Sequence, residues 1–173
     1  IVRWFCQPSK STLNNYLYIW LYHIKTMKYT TQIIINLPRK RVIELFDSMD
    51  NMYKWQPGLK NHEFVEGAPG EAGSKTRLVY DSRKGELAML ETIIKKNLPE
   101  EFHATYEARG VYNEMVNYFS EEGPDKTIWK TYSVFKFRGV MAIMARFMSL
   151  AFKKQTMVSM EQFKQFCEKE SNP

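Results

Sequence analysis

The stretch from Gly139 to about Lys169 contains no proline, and after Gly139 it contains no glycine. Apolar side chains recur in it at three- and four-residue steps: Met141, Met144, Met148, Phe152, Val158, Phe163 and Phe166. That is the period of one long amphipathic helix. Its first half, Val140 to Phe152, is apolar on nearly all sides, which predicts that the rest of the chain covers it. Met141, Met144, Met148, Met157 and Met160 all fall here, half of the 10 methionines. Methionine is flexible and polarizable. The spacing fits both ordinary core packing and a methionine-lined ligand cavity.

A chain of 173 residues, 44% apolar and 25% charged, is large enough for one domain with a sizeable core. The balance excludes a disordered chain and a membrane bundle. Cys6 and Cys167 stand at opposite ends. They form neither a disulfide framework nor a zinc motif, so a reducing cytoplasm is the expected compartment. The net charge is +6, and Arg3, Lys10 and Lys25 supply half of it without an intervening acid. From residue 27 onward the signs are interspersed, unlike the clustered basic face of a nucleic-acid binder.

Residues 1–26 differ in character from the rest of the chain. Their apolar run, around Tyr16-Leu-Tyr-Ile-Trp-Leu-Tyr22, is short of the roughly 20 residues that span a bilayer. No small-residue cleavage site comes after it. The expectation is an N-terminal leader or extension outside the domain, with Met27 as the natural start and the domain at 27–173. An interfacial anchor is the alternative, because aromatics with scattered lysines favour membrane surfaces. Stable membrane insertion is not expected.

From Met27 the chain reads as a strand over Tyr29–Asn36, then a helix from Pro38 over Arg39–Asp47, then a short helix over Asp50–Trp55 ended by Pro57-Gly58. Strands are predicted next at 59–66, 75–81, 87–96, 101–109, 111–121 and 127–137. The turns after the third strand are short, which predicts antiparallel neighbours.

Short loops set hairpin register, and paired residues share a face. Closing 82–85 places Tyr80 opposite Leu87 and Leu78 opposite Met89. Closing 97–100 places Glu91 opposite Tyr106 and Ile93 opposite Ala104. Closing 109–110 places Asn113 opposite Tyr106, Met115 opposite Ala104, and Asn117 opposite Phe102. A five-residue loop at 122–126, chosen so that Lys130, Lys136 and Arg138 face water, places Trp129 opposite Phe119. It also sets Thr131 against Asn117, Ser133 against Met115, and Phe135 against Asn113. All these residues then share the face that looks at the helix. Lys75, Arg77, His103, Glu107 and Arg109 share the other. Burying a polar group without a partner costs about 1–3 kcal/mol, so this many polar groups inside point to a partly hydrated pocket.

Glu91 is the sharpest single candidate, an acid within Met89-Leu-Glu-Thr-Ile-Ile94 with Tyr106 across from it. A structural hydrogen bond and a ligand-anchoring or acid/base role both fit. His62 and His103 lack ligand spacing, Ser133 has no base beside it, and no phosphate loop or metal motif is present. No catalytic residue, cofactor or metal is assigned.

The order of strand, two short helices, antiparallel meander and long terminal helix resembles the helix-grip fold of the START-like (SRPBCC) superfamily. That superfamily includes polyketide cyclase/dehydrase and lipid-transport proteins. The opening segment carries the resemblance most specifically: Ile33-Ile-Ile-Asn-Leu-Pro-Arg-Lys-Arg-Val-Ile-Glu-Leu-Phe46, with Asp50 and Lys54-Trp-Gln-Pro-Gly58. The resemblance implies an α+β fold in which a curved sheet wraps the last helix around a cavity for a hydrophobic or amphipathic small molecule. Leu78, Tyr80, Met89, Glu91, Tyr106, Asn113 and Met115 are expected to line it. Asn117, Trp129, Thr131, Ser133 and Phe135 extend the wall, with Met141, Met144 and Met148 on the helix. The leading function is ligand binding without catalysis. The alternatives are a cyclase- or dehydratase-like enzyme using Glu91 and Tyr106, and a protein-interaction module like the chaperone activators of this fold. The oligomeric state is left open.

Overall fold

The structure, a computed structural model, describes residues 25–82 and 85–170. Among the described residues seven strands form one antiparallel sheet: β1 (Lys25–Ile35), β2 (Leu59–Glu66), β3 (Lys75–Ser82), β4 (Gly85–Asn97), β5 (Glu101–Ala108), β6 (Val111–Glu121) and β7 (Thr127–Phe137). Four helices accompany them: α1 (Arg39–Phe46), α2 (Met49–Trp55), α3 (Val140–Phe147) and α4 (Ser149–Glu170). The order across the sheet is β1-β7-β6-β5-β4-β3-β2. The first described strand therefore pairs with the last, the most distant pairing in the sheet.

Every pair derived from hairpin lengths is present, from Tyr80 with Leu87 through Glu91 with Tyr106 to Asn113 with Phe135. One detail differs. β4 runs to Asn97, so its turn is one residue shorter than expected, and a bulge between Ile93 and Lys95 restores the register. Ile94, the extra residue, is left half exposed. A bulge of this kind bends its strand.

The sheet's hollow is closed at its two ends. At one end Ile35, Val42, Leu45, Phe119, Trp129, Met160 and Phe163 pack together. Phe46 joins them edge-on to Phe102, Phe119, Trp129 and Phe163, at 5.0–5.8 Å between ring centres. The other end is built on Phe135, Phe137 and Ala145, with Tyr29, Met141 and Phe152 against them.

The terminal helix departs from expectation in two ways. It is two helices, divided at Met148, whose φ of -115° and ψ of 16° leave the helical region. Neither proline nor glycine marks the break. Ala145 on α3 and Phe152 on α4 both pack against the Phe135–Phe137 pair, and Phe152 lies 5.3 and 4.9 Å from those rings. Packing across the break, and not a local breaker, accounts for the bend. Second, the apolar first half is not covered all round. Ala145 is buried, but Val140, Ile143, Met144, Phe147, Met148 and Leu150 are exposed.

Of the leader expected over residues 1–26, positions 1–24 lie outside the described residues. Lys25 and Thr26 begin β1, opposite Phe137 and Lys136. Among the described residues, no helix is long and apolar enough to cross a membrane.

Candidate binding site

Along β7 the concave face changes character twice, and along β6 apolar and polar residues alternate. On β7 it runs Trp129, Thr131, Ser133, Phe135; on β6 it runs Phe119, Asn117, Met115, Asn113. Glu91 and Tyr106 continue the polar band on β4 and β5, and Thr31, opposite Thr131, continues it on β1. The result is a polar belt, interrupted by Met115, between two apolar ends.

Half of this belt is closed upon itself. Asn117 Oδ1 accepts from Trp129 Nε1 at 3.0 Å and from Thr131 Oγ1 at 2.8 Å, and Asn117 Nδ2 donates to the Phe102 carbonyl at 3.3 Å. Asn117 and Thr131 are thus held by their neighbours, and Trp129 is locked between Phe46, Phe119 and Phe163.

The other half is unpaired. Thr31 Oγ1, Asn113 Oδ1 and Ser133 Oγ are buried without a hydrogen-bond partner among the described residues. Ser133 lies near enough to Tyr29 to favour its phenolate slightly, but its hydroxyl makes no bond of ordinary geometry. Buried polar atoms are nearly always paired. Three unpaired ones on one concave face depart from that rule.

Glu91 is the ionisable centre. It is 7% exposed, and burial raises its carboxyl pKa while a hydrogen bond from Tyr106 pulls the other way. Burial raises the Tyr106 phenol well above the ordinary tyrosine value, and the Glu91 charge adds to this. Tyr80 is raised for the same two reasons, and its hydroxyl donates to Gln56 Oε1 in the turn after α2. Tyr106 lies deep in the protein and is still only half-buried by area, as are Met89 and Met115 on the same face. Space over these side chains therefore admits molecules of water size.

The raised carboxyl has a thermodynamic consequence. Between its ordinary 4.5 and its higher folded value, Glu91 holds more proton in the folded chain than in the unfolded one. Stability contributed by this group is therefore lost as pH rises through that window, by no more than about 1.4 kcal/mol per pH unit. Glu91→Gln removes the slope and raises stability at neutral pH relative to the native chain. Urea unfolding at a series of pH values checks this, and a difference between the two proteins that does not vary with pH contradicts it.

The remaining expected wall residues divide. Leu78 is fully buried, and Phe135 is packed between Tyr29, Phe137 and Phe152. Met141 joins that same cluster. Met144 and Met148 are 41% and 44% exposed, on the solvent side of the bend. The structure thus gathers Glu91, Tyr106, Tyr80, Asn113, Ser133, Met89 and Met115 on one face, where Glu91, Asn113 and Ser133 are buried and the other four half-buried, and it draws Asn117, Thr131, Trp129, Phe135 and Met141 into packing. His103 is half-buried on the convex face, 3.1 Å from Glu114. His62 accompanies the Tyr53 hydroxyl at 2.7 Å. Cys167 is buried, and desolvation followed by the Glu168 charge pushes its thiol up to about 12.

Four belt residues escape a reading of the sequence: Tyr29, Thr31, Gln56 and Thr156. The Tyr29 hydroxyl meets Thr156 Oγ1 at 2.8 Å and donates to the Phe152 carbonyl at 3.3 Å, which pins α4 to β1. The pairing of β1 with β7 is not a hairpin, so no loop length reveals it. Two open grooves of about 500 and 490 Å³ lie elsewhere, one between α2 and the end of α4 and one beside α1 and Pro99. No concave-face residue lines either of them.

No family model and no curated protein matches the sequence. Solved structures do match the fold. The crystal structure of Ara h 8.0201 is 11% identical, covers 84% of this chain and 99% of its own, and superposes with a TM-score of 0.69. An aromatase/cyclase, Zhui, from Streptomyces sp. R1128 is 14% identical over 84% of this chain and 94% of its own, with a TM-score of 0.68. Norcoclaurine synthase from Thalictrum flavum, solved with dopamine and hydroxybenzaldehyde, is 10% identical, covers 99% of this chain and 100% of its own, and has a TM-score of 0.65. At these identities the likeness is one of fold.

Proposed function

On the frame of the helix-grip fold, we propose that this protein binds a hydrophobic or amphipathic small molecule, lipid-like or aromatic, on the concave face between β3–β6 and α4. The observation that carries this reading is the unpaired half of the polar belt, beside side chains that remain half-buried. Unpaired Asn113 Oδ1 and Ser133 Oγ stand beside the half-buried Met89, Met115 and Tyr106. An apolar surface with a few polar atoms that fix orientation is the usual make-up of a small-molecule site. Two of the solved structures with this fold carry enzyme names, and one of them holds small aromatic molecules. These give the reading its precedent. The domain is taken as 27–173, acting in the cytoplasm.

The test is titration of the full chain with the fluorescent apolar anion 8-anilinonaphthalene-1-sulfonate. Saturable binding by the folded protein is expected. Met115→Trp, which fills the concave face, abolishes it; substitution of the exposed Phe147 and Leu150 leaves it in place. Binding that persists in a folded Met115→Trp protein defeats the reading. Mass spectrometry of molecules carried through native purification then gives the chemical class.

A second reading rests on Glu91. A buried carboxyl with a raised pKa, flanked by two phenols, is suited to proton transfer. On this reading Glu91 and Tyr106 are an acid/base pair acting on the bound molecule. Turnover of a substrate that survives Glu91→Gln together with Tyr106→Phe rules it out.

A further inference from the structure

α3 is apolar on two sides, and the sheet needs only one of them. Met141 and Ala145 face the Phe135–Phe137 cluster. Val140, Ile143, Met144 and Phe147 fit the i, i+3, i+4, i+7 pattern of a second stripe, which points outward. Phe147 is 83% exposed and Leu150, just past the bend, is 82% exposed. Single exposed apolar side chains are ordinary, but a contiguous set of large ones marks an interaction surface.

The charges around the stripe say what it meets. From Lys126 to Met160 the chain holds Lys126, Lys130, Lys136, Arg138, Arg146, Lys153 and Lys154, and no aspartate or glutamate. Arg138, Arg146, Lys153 and Lys154 are exposed, and they flank and interrupt the apolar stripe. Lys25, also exposed, lies opposite Phe137 at the same end of the sheet. A second copy docking through the same stripe brings these cations against their own equivalents. An anionic lipid surface accepts both components: bulky side chains enter the acyl boundary, and the basic groups reach the headgroups on their aliphatic stems.

From this geometry we infer that the α3–α4 bend is a peripheral membrane-docking surface that seats Phe147 and Leu150 in an anionic bilayer, held there by Arg138, Arg146, Lys153 and Lys154. The stripe lies outside the concave face, so docking and small-molecule binding are separate properties. Flotation of the full chain with vesicles tests it, using phosphatidylcholine alone and phosphatidylcholine with added phosphatidylserine. The protein floats with the anionic vesicles and not with the neutral ones, and salt releases it. Phe147→Ser with Leu150→Ser lowers the bound fraction about tenfold or more, with the melting temperature unchanged. Arg146→Glu with Lys153→Glu and Lys154→Glu does the same without touching an apolar group. Failure to float with anionic vesicles overturns the inference, as does flotation undiminished in both variants. A stable dimer or a stoichiometric protein complex that Phe147→Ser with Leu150→Ser dissolves, in place of vesicle binding, also overturns it and assigns the stripe to that partner.

Discussion

Phe163→Ala is expected to cost about 3–5 kcal/mol of stability, the range for emptying a large buried aromatic site. Phe163 is fully buried on α4 and touches the rings of Phe46, Trp55, Trp129 and Phe166 at 5.0–6.3 Å. Those partners come from α1, α2, β7 and α4, so the cavity opens at the point where all the layers meet. Large aromatic neighbours cannot collapse into it without leaving their rotamers, which keeps the penalty high. Phe147→Ala, in the same apolar run of sequence, is expected to change stability by no more than about 0.5 kcal/mol because its ring is in water. Urea unfolding measures both, and equal losses would show that the bend has been misassigned.

Asn117→Ala is the second large effect, roughly 2–6 kcal/mol, since it strands two buried donors at about 1–3 kcal/mol each. The donors are Trp129 Nε1 and Thr131 Oγ1, and the Phe102 carbonyl loses its donor as well. Asn113→Ala, two pairs along the same strand face, is expected to cost less than about 1 kcal/mol, because the Asn113 carbonyl oxygen has no partner to lose. The contrast separates polar groups that hold the fold from polar groups left for a guest. If Asn113→Ala costs as much as Asn117→Ala, the belt is structural throughout. If Asn113→Ala leaves stability alone and weakens binding of the fluorescent probe, the unpaired half of the belt is the site.

Much of this architecture is legible in the residues. Glu91 opposite Tyr106 is fixed by the length of one loop and the two-residue period of a strand, and the pair is where those two constraints put it. The register survives a turn one residue shorter than expected, because the bulge at Ile94 compensates for it. Loop length could not supply the other wall. Tyr29 and Thr31 reach the belt through the β1–β7 pairing, and Thr156 reaches it through the packing of α4. Neither contact leaves a local signal, since each joins segments about 100 or more positions apart in the chain. The same blindness placed Met144 and Met148 on a cavity wall. Periodicity shows that a helix has an apolar stripe, and it cannot show that one helix has two stripes with only one of them covered.

Local chemistry alone therefore determined the elements, the antiparallel register and the side of the sheet that turns inward, because loop length and alternation act over a few residues. Tertiary structure decided which inward polar groups are consumed and which are left unpaired. That depends on whether a neighbour from a distant segment stands within hydrogen-bonding distance, as Trp129 does for Asn117 and none among the described residues does for Asn113 Oδ1. It decided the bend at Met148 for the same reason, since the rings that α3 and α4 both pack on belong to β7.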